Sequence, residues 1–215
     1  GTDYVASGND KTIYVVSSVT ITGASESDSS LTSTFDANRL LQAFYVAVST
    51  KVTFINLNII NSASTINGGA VYGTENCNIE FINCNFINNY VDNANGGAIY
   101  IDKKGNLKVT DCNFTVNNAY NADGGAIYGN TESNIEIYNS ILTHNTATNN
   151  AGAVYGGSNS NIRIFNSYLG YNSATHGGVI YGNGNVTGDD STFEDNDATG
   201  NGGGVIGNNL IVANS

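Results

Sequence analysis

The sequence predicts an all-β solenoid, a parallel β-helix of about seven to eight coils of 24–28 residues. A pentapeptide of the type GGAVY recurs at intervals of 25 to 28 residues, starting at Gly68, Gly96, Gly124, Ala151, Gly177 and Gly202. A second element, NIEFINCNF at Asn78, alternates with it and recurs at Asn106, Asn134, Asn161 and, in degenerate form, Asn185. No stretch shows sustained helical periodicity, so each repeated unit is interpreted as one coil.

Each unit holds three short apolar clusters, which predict three strands per coil. In the first cluster, Ile79 and Phe81 alternate with Glu80, the period-two pattern of a strand whose apolar side chains face inward. The equivalent positions of the next units hold Leu107 and Val109, Ile135 and Ile137, and Ile162 and Ile164. The second cluster contains Phe86, Phe114, Leu142, Leu169 and Phe193, and the third contains Val71, Ile99, Ile127, Val154, Ile180 and Val205.

Two columns of asparagine are predicted to stack from coil to coil. The first contains Asn56, Asn83, Asp111, Asn139, Asn166 and Asp190, and the second contains Asn89, Asn117, Asn145, Asn172 and Asn196. Neighbouring coils lie about 4.8 Å apart, so stacked side-chain amides can bond along the column. We interpret both columns as structural ladders that satisfy the turn backbone in the interior.

The glycines of the GGAVY element have two predicted roles. The first glycine permits a corner with positive φ, which residues with a Cβ rarely adopt. The second glycine and the following alanine keep this strand narrow where the coils come close together.

The cysteines are predicted to be free. Cys84 and Cys112 share one repeat position, 28 residues apart, and Ser140, Ser167 and Ser191 continue that column. A disulfide between adjacent stacked strands is usually strained, so we favour two buried thiols that act as small apolar residues. Cys77 is offset from this column and has no predicted partner.

The first 50 residues are less regular than the rest of the chain. TIYVV at Thr12 and VTITG at Val19 predict strands, residues 31–35 and 44–48 predict further rungs, and residues 36–39 predict a turn. We interpret residues 1–50 as N-terminal coils with a distorted capping rung. Residues 51–215 are the regular repeats, and the two parts form one continuous domain.

Charge and hydropathy argue against several classes of function. The formal net charge is −11, and the seven Lys and Arg residues are scattered, so no basic stripe is present to neutralise nucleic-acid phosphates. No run reaches the roughly 18 apolar residues of a membrane-spanning helix. The start Gly1-Thr2-Asp3 lacks a signal-peptide pattern, and we interpret the chain as a mature or excised segment.

One acidic cluster is a weak candidate for calcium. Asp189, Asp190, Glu194, Asp195 and Asp197 fall on a single degenerate coil, and the nearest basic residue in sequence is Arg163. Apart from this candidate calcium ion, no cofactor is expected. A strongly acidic protein repels polyuronates and the cluster lacks a basic partner, so we do not expect an enzyme and assign no catalytic residue.

Two elements resemble the alternating signatures of polymorphic membrane protein repeats, which are GGA followed by Ile or Val, and Phe-x-x-Asn. The first signature occurs in this sequence as GGAVY and GGAIY. The second occurs at residues 86–89, 114–117 and 193–196, and Leu142 and Leu169 replace its Phe in two other units. The run from Ile21 to Asn61 is similar to the leading coils of adhesin-like surface proteins of methanogenic archaea. The resemblance spans roughly Val19 to Gly207. It implies a right-handed, single-stranded β-helix in a cell-surface or extracellular protein that attaches to other cells, and it carries over no catalytic residue.

The tyrosine that ends each pentapeptide is the candidate binding residue, at Tyr72, Tyr100, Tyr128, Tyr155 and Tyr181. If the preceding Val or Ile points inward, alternation turns the tyrosines outward, where they can contact sugars or protein side chains. The alternative is that these rings pack on one another at a corner.

The leading functional hypothesis is an adhesin segment that binds glycans or proteins of a host or another microbe through a lateral face. A stalk or spacer is the alternative, and a polysaccharide lyase or hydrolase is less favoured. His144 and His176 are interpreted as loop residues, and Asn113 and Asn185 begin formal glycosylation sequons.

Overall fold

The computed structural model describes residues 4–8, 10–23 and 32–213, and these residues form strands, turns and bends but no helix. The first strands are β1 (Tyr4–Val5), β2 (Ile13–Val15), β3 (Val19–Thr22), β4 (Ser33–Asp36), β5 (Phe44–Val46), β6 (Lys51–Ile55), β7 (Leu57–Ile60) and β8 (Ala63–Ser64). The next two coils contain β9 (Val71–Gly73), β10 (Asn78–Ile82), β11 (Asn85–Ile87), β12 (Tyr90–Asp92), β13 (Ile99–Ile101), β14 (Asn106–Thr110), β15 (Asn113–Thr115) and β16 (Asn118–Tyr120). The remaining strands are β17 (Ile127–Gly129), β18 (Asn134–Tyr138), β19 (Ile141–Thr143), β20 (Thr146–Ala147), β21 (Val154–Gly156), β22 (Asn161–Phe165), β23 (Tyr168–Gly170), β24 (Ser173–Ala174), β25 (Ile180–Asp189), β26 (Thr192–Glu194), β27 (Asp197–Ala198) and β28 (Val205–Ala213).

These strands stack in parallel to form a β-helix of about seven turns, which confirms the predicted fold class. Each strand pairs with the strand one repeat away, so that Ile79 lies beside Leu107 and Leu107 beside Ile135. The pairing satisfies the backbone of each coil with the coils above and below it.

The coil has four sides, which we name by their residues. The tyrosine side contains β2, β5, β9, β13, β17 and β21, and the charged side contains β3, β6, β10, β14, β18 and β22. The long strand β25 runs through the corner between these two sides and joins them, with β28, into one 14-stranded sheet. The phenylalanine side is the 8-stranded sheet β1-β4-β7-β11-β15-β19-β23-β26, and the alanine side is the 6-stranded sheet β27-β24-β20-β16-β12-β8.

The alanine side corrects the prediction of three strands per coil. Its strands are only two or three residues long, and they bury small side chains such as Val91, Ala119, Ala147 and Ala174 in a cluster separate from the main core. Short strands of alanine and polar residues give little apolar alternation, so the sequence pattern did not reveal them.

The main core occupies the space enclosed by the other three sides, as the alternation predicts. The inward residues of all three predicted clusters are buried in one continuous cluster, except Phe193 and Val205, which are partly buried against it. Phe54 stacks on Phe81 with ring centroids 4.8 Å apart, and Phe86 stacks on Phe114 at 4.6 Å. Each large apolar side chain buried in this way contributes roughly 1.5–3 kcal/mol.

The N-terminal rungs lie close to their predicted positions. Strands β2, β3, β4 and β5 confirm the predicted strands, and the turn lies at residues 38–40, with positive φ at Asn38 and Arg39. Leu31 and the rest of residues 24–31 lie outside the described residues.

The two glycine roles are confirmed. The first glycine of the element has φ between 60° and 74° at all five glycine-bearing copies, and Ala151 takes the same conformation with φ 60°. The second glycine packs against the next coil, so a Cβ added to Gly97 would overlap the carbonyl oxygen of Gly125.

The two asparagine columns differ from each other. The interior column (Asn89, Asn117, Asn145, Asn172 and Asn196) forms the predicted ladder, with amide-to-amide distances of 2.9–3.0 Å. In the turn column (Asn56, Asn83, Asp111, Asn139, Asn166 and Asp190) only Asn56 is buried and the last four members are exposed, so most of the column does not lie in the interior as predicted. All six turn-column residues have φ between 46° and 57°, so they supply the left-handed conformation at this corner.

The cysteines are buried and free, as predicted. The backbone N–H of Cys84 donates to Cys112 Sγ at 3.3 Å, and that of Cys112 donates to Ser140 Oγ at 3.1 Å. Ser167 and Ser191 continue the same pattern. Burial raises the pKa of the Cys112 thiol and raises the pKa of Cys77 to about 12, so these thiols remain protonated.

Candidate functional site

The tyrosine column is longer than the sequence analysis recognised. Tyr14 pairs with Tyr45, and Tyr45 pairs with Tyr72, so the column contains seven residues. We name it the tyrosine ladder: Tyr14, Tyr45, Tyr72, Tyr100, Tyr128, Tyr155 and Tyr181. Its two extra members follow an apolar residue in IYV and FYV, but neither triplet follows a GGA motif. All seven ladder tyrosines directly follow Ile, Val or Phe, so an apolar residue before tyrosine was the signal that could have found the two extra members.

The rings of the ladder stack on one another along the coil axis. Successive ring centroids lie 4.5–5.7 Å apart. From Tyr45 to Tyr181 the ring planes are within 23° of parallel, whereas Tyr14 is tilted by 39° against Tyr45. This spacing follows from the strand pairing, because each ring belongs to a residue paired with its equivalent on the next coil.

The ladder combines features of both alternatives raised by the sequence. Its rings lie outside the main core, opposite inward residues such as Ile99 and Ile127. Their exposure varies widely, because Tyr14 is 65% exposed while Tyr100 is only 6% exposed. The other five are half-buried. The middle of the ladder is thus largely covered, and contact with a ligand falls to its more open members.

The hydroxyl groups in the middle of the ladder share polar partners. Tyr72 donates to Asp102 Oδ2 at 3.3 Å, and Tyr100 lies 3.5 Å from Asp102 Oδ1. Asn130 Nδ2 donates to both the Tyr100 hydroxyl, at 3.0 Å, and Asp102 Oδ1, at 2.9 Å. Asn183 donates to the Tyr155 hydroxyl at 2.9 Å. These contacts fix the outer edge of the stack.

Four phenols in the middle of the ladder are held in their neutral form. Burial, followed by the negative charge of Asp102, raises the pKa of Tyr72 to about 12. The pKa values of Tyr100, Tyr128 and Tyr155 are also raised, with burial as the largest cause in each case. The ladder therefore presents hydrogen-bonding phenols and aromatic faces at neutral pH.

A groove runs beside one part of the ladder. It has a volume of about 410 Å³ and is lined by Tyr45, Thr65, Ile66, Asn67, Tyr72, Asn93 and Ala94. Ile66 lines the groove together with the two rings and is 56% exposed. We name this the tyrosine groove. It unites aromatic, aliphatic and amide groups in one open recess, a composition suited to a sugar or a peptide side chain.

A larger and more polar groove lies on the charged side. Its volume is about 570 Å³, and its charged lining residues are Lys51, Glu80, Lys108, Glu136 and Arg163. Lys108 pairs with Glu80 and Arg163 pairs with Glu136, both at 3.1 Å, so the charges within these pairs offset each other along the column. The acceptor Glu80 raises the pKa of the exposed Lys108.

The five acidic residues proposed as a weak calcium site are spread over several elements. Asp189 ends β25, Asp190 and Asp195 occupy turns with φ 48°, and Asp197 begins β27. Glu194 accepts a hydrogen bond from the Tyr168 hydroxyl at 2.9 Å. Across residues 4–8, 10–23 and 32–211, no three His, Cys, Asp or Glu side chains are grouped to hold a metal ion. The geometry adds no support to a calcium site.

The two histidines have defined contacts. The ring of His144 stacks on Tyr171 at 5.2 Å, which the sequence analysis missed. His176 Nδ1 accepts the backbone N–H of Asn201 at 3.1 Å, replacing the asparagine oxygen that accepts at the equivalent position of earlier coils. The sequon residues Asn113 and Asn185 donate to Asn85 and Asn161 at 2.7 and 2.8 Å, so both belong to amide ladders.

Comparison of the chain with models of known protein families, with curated proteins and with solved structures finds no significant match. Within the described part of the chain, no helix is long and apolar enough to cross a membrane.

Proposed function

We propose that this chain is a segment of a cell-surface adhesin that binds a glycan or a protein of another cell through its tyrosine side. The observation that carries the proposal is the tyrosine groove, where Tyr45, Tyr72 and Ile66 together line an open recess. Aromatic rings held rigidly lose little conformational entropy on binding, which makes them effective contact residues. The resemblance to repeats of surface proteins supports an extracellular location.

The groove differs from the binding face expected from sequence alone. The covered ring of Tyr100 contributes little surface, whereas Tyr45 adds a ring that the pentapeptide pattern did not include. The binding surface is thus a local recess near the N-terminal coils and not a uniform stripe along the molecule.

The experiment is a glycan array and a panel of microbial cells, probed with the unmodified chain and with matched variants. Tyr45→Ala with Tyr72→Ala removes both rings, and Ile66→Ser changes an aliphatic lining residue of the groove while leaving the ladder intact. Tyr138→Ala on the charged side, where the ring stacks on Phe165, is the control for loss of a stacked tyrosine.

The expected result is that both groove variants lose binding by about ten-fold or more, equivalent to about 1.4 kcal/mol, while Tyr138→Ala retains it. Far-UV circular dichroism checks that each variant keeps its β structure. Equal binding by all variants would contradict the groove assignment.

A structural spacer is the second candidate function. The observation that favours it is the low exposure of Tyr100, which shows that the centre of the ladder packs coil on coil. This function would be favoured if the unmodified chain shows no binding and if both the Tyr45→Ala/Tyr72→Ala variant and the Tyr138→Ala variant lose stability.

A further inference from the structure

The tyrosine ladder brings phenol rings into contact at every coil step. Seven of the 13 tyrosines of the chain belong to it. The closest pair is Tyr128 and Tyr155, whose centroids are 4.5 Å apart with 7° between the ring planes. The pairs on either side, Tyr100 with Tyr128 and Tyr155 with Tyr181, are separated by 5.2 and 5.7 Å with similar geometry.

This geometry also brings the reactive carbons of neighbouring rings together. The rings are nearly parallel and their centroids are 4.5–5.7 Å apart, so the carbons of one ring lie close to those of the next. The carbons beside the hydroxyl, Cε1 and Cε2, are the positions at which two phenoxyl radicals couple. Groups held in contact by a folded scaffold react as if at very high local concentration.

We propose that the tyrosine ladder is a site of oxidative cross-linking, in which a peroxidase and hydrogen peroxide join neighbouring tyrosines as dityrosine and so staple adjacent coils. This modification is independent of the adhesive role proposed above. It would covalently tie together coils that are otherwise held by backbone hydrogen bonds and packing, as is useful for a solenoid whose units depend on their neighbours.

The reaction balances as follows. Each of two tyrosines loses one electron to the peroxidase and its phenolic proton, which leaves two phenoxyl radicals. The radicals form one bond between ring ε carbons, and the hydrogen on each coupled carbon moves to its oxygen and restores the phenol. Two electrons and two protons are thus lost, and they reduce one hydrogen peroxide to two waters.

The structure supplies an acceptor for the phenolic proton at one part of the ladder. Asp102 accepts the Tyr72 hydroxyl at 3.3 Å and lies 3.5 Å from that of Tyr100. At the end of the ladder, Tyr14 is 65% exposed and gives a soluble oxidant direct access to the first ring.

The six tyrosines outside the ladder provide an internal comparison. Among the ring contacts of the described residues, Tyr138 stacks on Phe165, Tyr171 stacks on His144, and Tyr4 packs on Phe35 with a tilt of 31°. None of the six stacks on another tyrosine within residues 4–8, 10–23 and 32–211, although the hydroxyls of Tyr168 and Tyr171 are in hydrogen-bonding contact. Cross-links confined to the ladder would therefore reflect its geometry and not tyrosine content.

The test treats the whole chain, at high dilution, with a haem peroxidase and hydrogen peroxide. Dityrosine fluorescence measures yield, and mass spectrometry of digested monomer identifies the linked peptides. Tyr45→Phe, Tyr100→Phe and Tyr155→Phe together leave no two adjacent tyrosines in the ladder while retaining every ring. The matched control changes three tyrosines outside it, Tyr90→Phe, Tyr120→Phe and Tyr138→Phe.

We expect the unmodified chain to give monomeric product that has lost two hydrogens per link, with Tyr128 joined to Tyr155 among the linked pairs. The ladder variant should lose most of this product and the control variant should keep it. Equal yields from the two variants, links between tyrosines outside the ladder, or links only between molecules would overturn the proposal. If the ladder variant loses its circular dichroism signal, the peptide map of the unmodified chain decides the question.

Discussion

The interior column and the turn column are built largely from the same residue, yet they stabilise the coil in different ways. In the interior column the asparagine side chain is the useful part, because each buried amide bonds to the next amide and to the backbone. In the turn column the asparagine backbone is the useful part, because it tolerates a positive φ that most residues avoid. Identical letters at a fixed interval therefore do not imply an identical role.

The largest expected effect comes from breaking the interior column at Asn117. Its Nδ2 donates to Phe86 O at 3.0 Å and to Asn145 Oδ1 at 2.9 Å, and its Oδ1 accepts from the backbone and side chain of Asn89 at 3.1 and 3.0 Å. Asn117→Ala leaves several buried partners unsatisfied and should lower the free energy of unfolding by roughly 3–5 kcal/mol. Urea unfolding monitored by circular dichroism measures this, and a loss below about 1 kcal/mol would contradict the ladder.

The turn column should respond less, and mainly to backbone conformation. Asn139 has φ 49°, is exposed, and accepts from Asn166 Nδ2 at 2.8 Å. Asn139→Ala should cost about 1 kcal/mol, because alanine is disfavoured in the left-handed region, whereas Asn139→Gly should be nearly neutral. Equal losses for the two variants in urea unfolding would instead assign the effect to the side-chain hydrogen bond.

The sequence predicted the repeating elements because their residues must face the same environment on every coil. The inward positions of the charged side, such as Ile79 and Leu107, are apolar at every second residue and were placed correctly. The alanine side was missed because residues such as Ala119 and Ala147 fit a narrow space without producing a strong apolar pattern.

The candidate site was only partly predictable for a similar reason. Alternation placed the tyrosines outside the core, but it carries no information about what covers them. Tyr100 has the stacked rings of Tyr72 and Tyr128 on either side and Asn130 at its hydroxyl. The groove beside Tyr45 also includes Ile66, which is remote from Tyr45 in the sequence. Contacts of that kind are set by three-dimensional packing and not by the spacing of one column.

Ala151 allows the backbone argument to be tested in the opposite direction. It replaces the first glycine of the pentapeptide but adopts the same positive φ, 60°. Ala151→Gly should raise the free energy of unfolding by about 0.5–1 kcal/mol, because relief of the left-handed strain exceeds the entropy that glycine loses on folding. Thermal and urea unfolding should both shift upward, and a destabilised variant would show that alanine packing matters more than φ at this corner.

Asp123 gives the smallest expected effect and shows why a carboxylate can stand in for asparagine in some columns. At this position the side chain acts only as a hydrogen-bond acceptor. The backbone N–H and the side-chain amide of Asn150 both donate to Asp123 Oδ1, at 3.0 and 2.8 Å. Burial raises the pKa of Asp123, and the hydrogen bonds from Asn150 only partly oppose this rise. In the interior column the amide must also donate, so a carboxylate would not fit there.

The pH dependence of stability tests this account of Asp123. A carboxyl group whose folded pKa is raised stabilises the fold below its unfolded pKa of about 3.9, and this contribution is lost as the pH rises through the folded pKa. Asp123→Asn keeps the accepting oxygen and removes the charge, so its advantage over the unmodified chain should grow as the pH rises from below about 3.9 through the raised folded pKa of Asp123. Asn139→Asp, an exposed change of the same size in the turn column, is the matched control and should show no such growth. If Asp123→Asn instead loses stability relative to the unmodified chain as the pH rises, the charged form of Asp123 gains more from the hydrogen bonds of Asn150 than it loses by burial.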